Sequence, residues 1–153
     1  MAKLWDSEVN GFVDLDKLLS ERPGHLLFTV LAIDWERGEN QRIYTSSHDA
    51  YPVGGVKPLN RHSEFFRLVV LEGVARICPD RESCRNAFFD FDLIQSLGCE
   101  SGVNFPIKRD GQTVGSLNLL HKAGWYRSDM LPILQGAAEV ADGLLNQLKK
   151  SSV

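Results

Sequence analysis

The side chains that offer chemistry in this sequence are few. Three cysteines, Cys78, Cys84 and Cys99, and two asparagines, Asn104 and Asn118, stand in otherwise apolar surroundings. Thiolates reduce small oxidised molecules through sulfenate and disulfide states, so the cysteines are the redox candidates. A zinc site would draw on the same sulfurs, yet Cys78 and Cys84 enclose five residues where about two to four are usual, and no second close ligand pair follows; no metal is expected. His25, His48, His62 and His121 form no His-Glu-x-x-His pattern. Gly54-Gly55 is not followed by Gly-Lys-Ser/Thr, and Gly-x-Gly-x-x-Gly is absent, so no nucleotide cradle is expected there. The asparagines are different in kind. A buried amide must find partners for its donors and its acceptor, so Asn104 and Asn118, with Ser116 beside them, either satisfy one another or bind a small polar ligand.

The elements that position these residues can be read from turn chemistry and periodicity. Gly102 to Lys108 and Gln112 to His121 flank Asp110-Gly111, the signal of a β-hairpin. An odd-length, bulged connection would set Asn104 opposite Asn118 on one face. Upstream, Val13 to Arg22 reads as an amphipathic helix stopped by Pro23-Gly24, and His25 to Asp34 as a central strand, its apolar run interrupted at Thr29. Gln41 to Ser47 makes a second strand, and His48 to Asn60 a loop whose Tyr51 is a candidate to close over a ligand. The pattern predicts a helix over His62 to Gly73 and a brief extended piece over Val74 to Ile77. An irregular segment from Pro79 to Asp92 is read either as an apolar lid, with Phe88, Phe89 and Phe91 as its wall and Asp80 or Asp92 as its polar end, or as a seal over the sheet; a short helix then runs through Leu97. A long helix over Arg127 to Lys150 presents Leu134, Ala138, Ala141, Leu144, Leu145 and Leu148 on one stripe.

With 153 residues, 43% hydrophobic and 24% charged, the chain is expected to form a single domain over 1–153, its core about 13–150. Seventeen basic against twenty acidic residues give a net charge of −3, which argues against nucleic acid as a partner. No apolar run approaches the roughly 20 residues of a membrane span, so no membrane partner is expected. An odd cysteine count and the lack of an N-terminal apolar h-region point to reduced thiols and a cytoplasmic location.

One stretch carries a family resemblance. Ser101-Gly102-Val103-Asn104-Phe105-Pro106-Ile107, then Asp110-Gly111-Gln112-Thr113-Val114-Gly115-Ser116-Leu117-Asn118-Leu119, then Trp125-Tyr126, Ser128-Asp129 and an alanine-rich helix with Ala137, Ala138 and Ala141, together resemble a GAF domain. The resemblance implies an α+β, profilin-like fold with a central antiparallel sheet of about six strands and helices on its faces. It implies a sensor that binds a small organic molecule and changes conformation, without catalysis or a cofactor. It also implies a homodimer through the terminal helices and a separate output protein as partners.

Two alternatives accompany it. The free methionine sulfoxide reductases are GAF-like enzymes, and Gly98-Cys99-Glu100-Ser101 resembles their cysteine segment; Gly102 and Asn118 stand where those enzymes place substrate-binding carboxylates. A structural dimerisation module without ligand is the other. The cyclic-nucleotide signature of phosphodiesterase GAF domains is kept at two of five positions, in His121-Lys122, Tyr126 and Asp129-Met130, so that ligand is not expected.

Overall fold

A computed structural model describes residues 11–49, 51–87 and 91–151. Among the described residues, six strands form one antiparallel sheet: β1 (Leu27–Asp34), β2 (Glu39–Thr45), β3 (Val56–Pro58), β4 (Arg76–Cys78), β5 (Ser101–Arg109) and β6 (Gln112–His121). Their order across the sheet is β3-β2-β1-β6-β5-β4, so the apolar strand β1 and the hairpin β5–β6 lie centrally. The α+β architecture expected from the sequence, a central antiparallel sheet of six strands with helices on its faces, is the observed one among the described residues.

Alternation along the central strands divides the residues between two faces. Phe28, Val30, Val103, Phe105, Leu117 and Leu119 point to one side and form the main core with α1 (Phe12–Glu21) and α4 (Leu131–Ser151). Leu15 and Leu19, four residues apart on α1, are fully buried there, as are Leu134, Ala137 and Ala141 of α4. Leu148, at the end of the expected stripe, is instead 49% exposed. The chain leaves α1 through Pro23-Gly24, whose carbonyls accept hydrogen bonds from Trp125 Nε1 (2.9 Å) and Tyr126 Oη (2.8 Å). That contact joins the start of the chain to the approach to α4.

The hairpin turn is Asp110-Gly111, both with positive φ (53° and 81°), the conformation that matches strand twist in a two-residue connection. A register shift between Ile107 and Lys108 adds the odd residue, so the bulge sits in the strand rather than in the turn. Beyond it Asn104 pairs with Asn118, the register expected for a bulged hairpin.

On the other face lie the shorter elements. The expected helix over His62 to Gly73 is present, but Phe66–Leu71 is wound as a π-helix, with Glu72 N–H bonding back to the Arg67 carbonyl five residues earlier. Its wide turn lets Phe66, Val69 and Val70 bury together, and the Val69 carbonyl accepts from Thr113 Oγ1 (3.1 Å) of β6. Two expectations are corrected. The 48–60 loop contains β3, which the sequence hides because Pro58 is tolerated only on an edge strand, where it lies. The segment expected to be irregular contains α2 (Arg81–Ala87), and the short helix expected through Leu97 is α3 (Phe91–Ser96), which begins inside that segment; Asp80 caps α2, its Oδ1 accepting from Ser83 N–H (2.9 Å).

Asp16 of α1 is pinned to the sheet by His25 Nε2 (2.7 Å) and by the Tyr44 hydroxyl. Burial raises the Asp16 pKa, but these hydrogen bonds and the His25 charge outweigh it and hold the carboxyl below its ordinary 3.8. As pH falls the unfolded chain therefore takes up this proton first, so the stabilisation is present above about pH 5 and is lost as pH drops through 4 and below. Thermal unfolding followed from pH 6 to pH 3 is expected to fall more steeply for the native sequence than for Asp16→Asn.

The close approach of β1 and β6 generates a second expectation. A Cβ at Gly115 would lie 2.4 Å from the Leu31 carbonyl oxygen, a backbone atom, whereas one at exposed Gly143 of α4 meets nothing within 4 Å. Gly115→Ala should cost roughly 1–3 kcal/mol and lower Tm by several degrees. Gly143→Ala should stabilise by about 0.5–1 kcal/mol. Urea denaturation of the two variants checks both.

Candidate functional site

Register assembles a polar row across the face opposite α1 and α4. Thr29 pairs with Asn118, Asn118 with Asn104, and Asn104 with Arg76, so residues from β1, β6, β5 and β4 stand side by side. None is more than 6% exposed. Arg76 Nε and Nη2 donate to Asn104 Oδ1 (3.0 and 2.9 Å). Asn104 Nδ2 donates to Asn118 Oδ1 (2.8 Å), which also accepts from Ser116 Oγ (3.1 Å). Asn118 Nδ2 then faces Thr29 Oγ1 and the Thr29 carbonyl (3.3 and 3.4 Å). A guanidinium carries donors only, so Arg76 dictates which way each amide in turn must point.

The row forms part of the floor of a cavity of about 600 Å³. Leu31 and Leu120 continue the floor, Phe65, Phe66 and Ile94 supply apolar roof, and Arg42, Tyr51 and Lys57 close the side nearest β2 and β3. This volume, with apolar walls and a small convergent set of polar groups, is that of a small-molecule site. The Arg42 guanidinium lies 3.7 Å over the Tyr51 ring, and its Nη1 donates to the Pro52 carbonyl (2.9 Å). A second hollow of about 580 Å³ runs between β5 and α4, but the polar residues along it, Lys108, Gln135 and Glu139, are exposed surface groups.

The site candidates read from the sequence divide accordingly. Asn104, Asn118 and Tyr51 line the cavity. Ser116 is buried under the row and serves it through Asn118. Phe91 lies outside the described lining: it packs with Cys78 and Cys84 at the start of α3. Asp92 is exposed, one residue further along that helix, and Asp80 is occupied as the α2 cap. Phe88 and Phe89 lie outside the described residues. Thr29, Arg42 and Arg76 were not foreseen as site residues. Thr29 had a signal, being the polar interruption of an apolar strand; Arg76 had none, because the pairing of so short a strand leaves no pattern.

The three thiols are buried and none is among the described lining residues. Burial pushes Cys99 up to about 11, and it packs with Leu27, Ile94 and Leu120. Cys78 and Cys84 are hydrogen-bonded neighbours; this bond, assisted by the nearby Arg76 charge, lowers Cys78 despite burial, and the same bond with burial raises Cys84. Cys84 Sγ also lies 3.9 Å from the Cys78 carbonyl oxygen. Among the described residues, no group of three His, Cys, Asp or Glu is arranged to hold a metal ion, and no helix is long and apolar enough to cross a membrane.

A six-stranded antiparallel sheet with the terminal helices on one face and a cavity on the other defines the class: this is the GAF fold. No protein-family model matches the chain, and no curated protein sequence does. Solved structures do match. The GAF domain of a two-component sensor histidine kinase from Bacillus halodurans superimposes with a TM-score of 0.74 at 12% identity, over 93% of this chain and 95% of that one. A GAF domain/HD domain protein from Geobacter sulfurreducens gives 0.70 at 12% identity, over 94% and 97%. The free methionine-R-sulfoxide reductase of Neisseria meningitidis, solved with its substrate, gives 0.65 at 15% identity, over 94% and 84%.

Asn118 accepts from two side chains of the row, Asn104 and Ser116, and donates to Thr29. Asn118→Ala leaves Asn104 Nδ2 and Ser116 Oγ short of their acceptor, and should destabilise the fold by about 2 kcal/mol in urea denaturation.

Proposed function

We propose that this domain is a small-molecule sensor. The observation that carries the reading is the hydrogen-bonded row Thr29–Asn118–Asn104–Arg76 exposed to a cavity of ligand size. A sheet face closed for stability alone would be packed with apolar side chains, as the opposite face is. Here the floor is rigid and polar, while the roof comes from short elements, the π-helix, α3 and the Tyr51 loop. A ligand touching both favours the arrangement in which roof and floor are drawn together, and the population shift is the signal. The output is read by a separate protein or by a second copy through the terminal helices.

Thiol chemistry fits the site less well, although reductases share the fold. The buried cysteines stand behind the lining, and the residues facing the cavity carry cationic groups with Glu64 alone opposing them among the described ones. Loss of free methionine sulfoxide in the presence of protein and a dithiol would replace the sensor reading with the enzyme.

Native mass spectrometry of gently purified protein, set against its denatured mass, tests the sensor reading. An extra mass released on denaturation, or a metabolite that raises Tm, and in either case a response weakened in Asn118→Ala, is the expected result. A bare native mass with no Tm shift across a metabolite panel would leave a structural module.

A further inference from the structure

Resting on the ligand-binding reading above, we propose that the cavity takes a small organic oxyanion, a carboxylate or phosphate ester, anchored at the Arg42 guanidinium. Its remaining polar atoms meet the Asn104 and Asn118 amides.

Two independent observations lead there. The first is the state of Arg42 itself. Its Nε atom is buried and has no hydrogen-bond partner among the described residues. A guanidinium offers five N–H donors in a rigid fork, and of these Nη1 is committed to the Pro52 carbonyl. The ring of Tyr51 against its face fixes the plane of that fork. A buried unpaired donor on a cation is costly, and a planar or tetrahedral oxyanion is the group that satisfies Nε and its neighbour together.

The second is the charge around the cavity. Arg42, Lys57, Arg76 and Arg85 line it from four different elements, against Glu64 among the described lining residues. Glu64 lies near Arg76 (3.6 Å) and is half exposed at the rim. A chain of net charge −3 thus has positive charge concentrated at this polar-floored cavity. A low-dielectric hollow lined by one sign raises the local concentration of the opposite ion.

Geometry sets the extent of the ligand. Arg42 pairs with Leu31, one side-chain repeat along β1 from Thr29, which in turn pairs with Asn118. Two strand spacings across and one repeat along separate the backbones of Arg42 and Asn118 by about 12 Å. Arg42, Asn104 and Asn118 line the same cavity of about 600 Å³, and that volume bounds the skeleton that can lie between the anchor and the amides.

Nitrogen–proton NMR of the full chain tests the inference, with the arginine Nε–H and asparagine side-chain signals as readout. The probes are benzoate and phenyl phosphate, each compared with its neutral counterpart, benzamide and phenol, at constant ionic strength. Saturable shifts of the Arg42 Nε–H and Asn118 signals with an anion, absent with its neutral counterpart, are expected, and the stronger anion identifies carboxylate or phosphate as the source. Arg42→Gln should raise the dissociation constant about tenfold, and Arg42→Lys should recover part of the loss. Equal response to the neutral probes overturns the anion inference and leaves the sensor reading standing. So does a native-mass adduct whose composition carries no acidic group. Anion binding undiminished in Arg42→Gln overturns the anchor. No response to any probe, together with a bare native mass, overturns both readings.

Discussion

The fold depends on one constraint at its centre: two buried amides must face each other, and a guanidinium decides how. Arg76 can only donate, so Asn104 turns its oxygen to it and its nitrogen to Asn118, which passes the same polarity to Thr29. Every bond in the row is therefore directed, and the row has one satisfied orientation. That orientation exists only in one register of the hairpin. Without the bulge after Ile107, pairing parity would change, and one asparagine would be driven in among the apolar side chains of the helix face. The bulge and the polar row thus specify each other, and both fix where the cavity floor lies.

The two faces of the sheet carry unequal energetic loads. On the helix face, Phe28, Val30, Leu117 and Leu119 are fully buried against Leu15, Leu19 and Leu134. Each such side chain contributes roughly 1.5–3 kcal/mol by leaving water. On the cavity face a hydrogen-bonded polar group contributes about 1 kcal/mol net, and the hollow above it forgoes packing. A sequence selected for stability alone would fill that hollow with aliphatic side chains, as the opposite side of the same strands already does. The contrast within β1, β5 and β6 separates what the fold needs from what the cavity needs, because both faces are built by the same backbone.

What could be read from the sequence follows from how local each signal is. The hairpin was legible because Asp110-Gly111 and two alternating runs lie within twenty residues, and Asn104 and Asn118 were legible as polar interruptions of those runs. The α1 and α4 stripes were legible by period. β3 was not assigned as a strand, and β4 was legible only as a brief extended piece over Val74 to Ile77, since three residues hold no period and their pairing depends on a neighbouring edge. Arg76 lies in that piece, but its pairing with Asn104 left no mark in the sequence. The lid was read as irregular with Phe91 and Asp92 facing a ligand; short helices there instead turn Phe91 towards the thiols and Asp92 to solvent. Short, mutually supported elements are where tertiary context outweighs local preference, and here they form the roof of the site.

Charge shows the same separation between local and assembled information. No basic run exists along the chain, and its net charge of −3 gives no sign of a cationic site. Yet Arg42, Lys57, Arg76 and Arg85, each from a different element, come together only once β2, β3 and β4 are paired and α2 is laid over the floor. The electrostatic character of the cavity is thus a property of topology, opposite in sign to that of the whole molecule. A small ligand inside the cavity meets this local cationic field, whereas a large polyanion at a distance meets the net negative charge of the whole molecule. That distinction depends on ligand size and not on total charge.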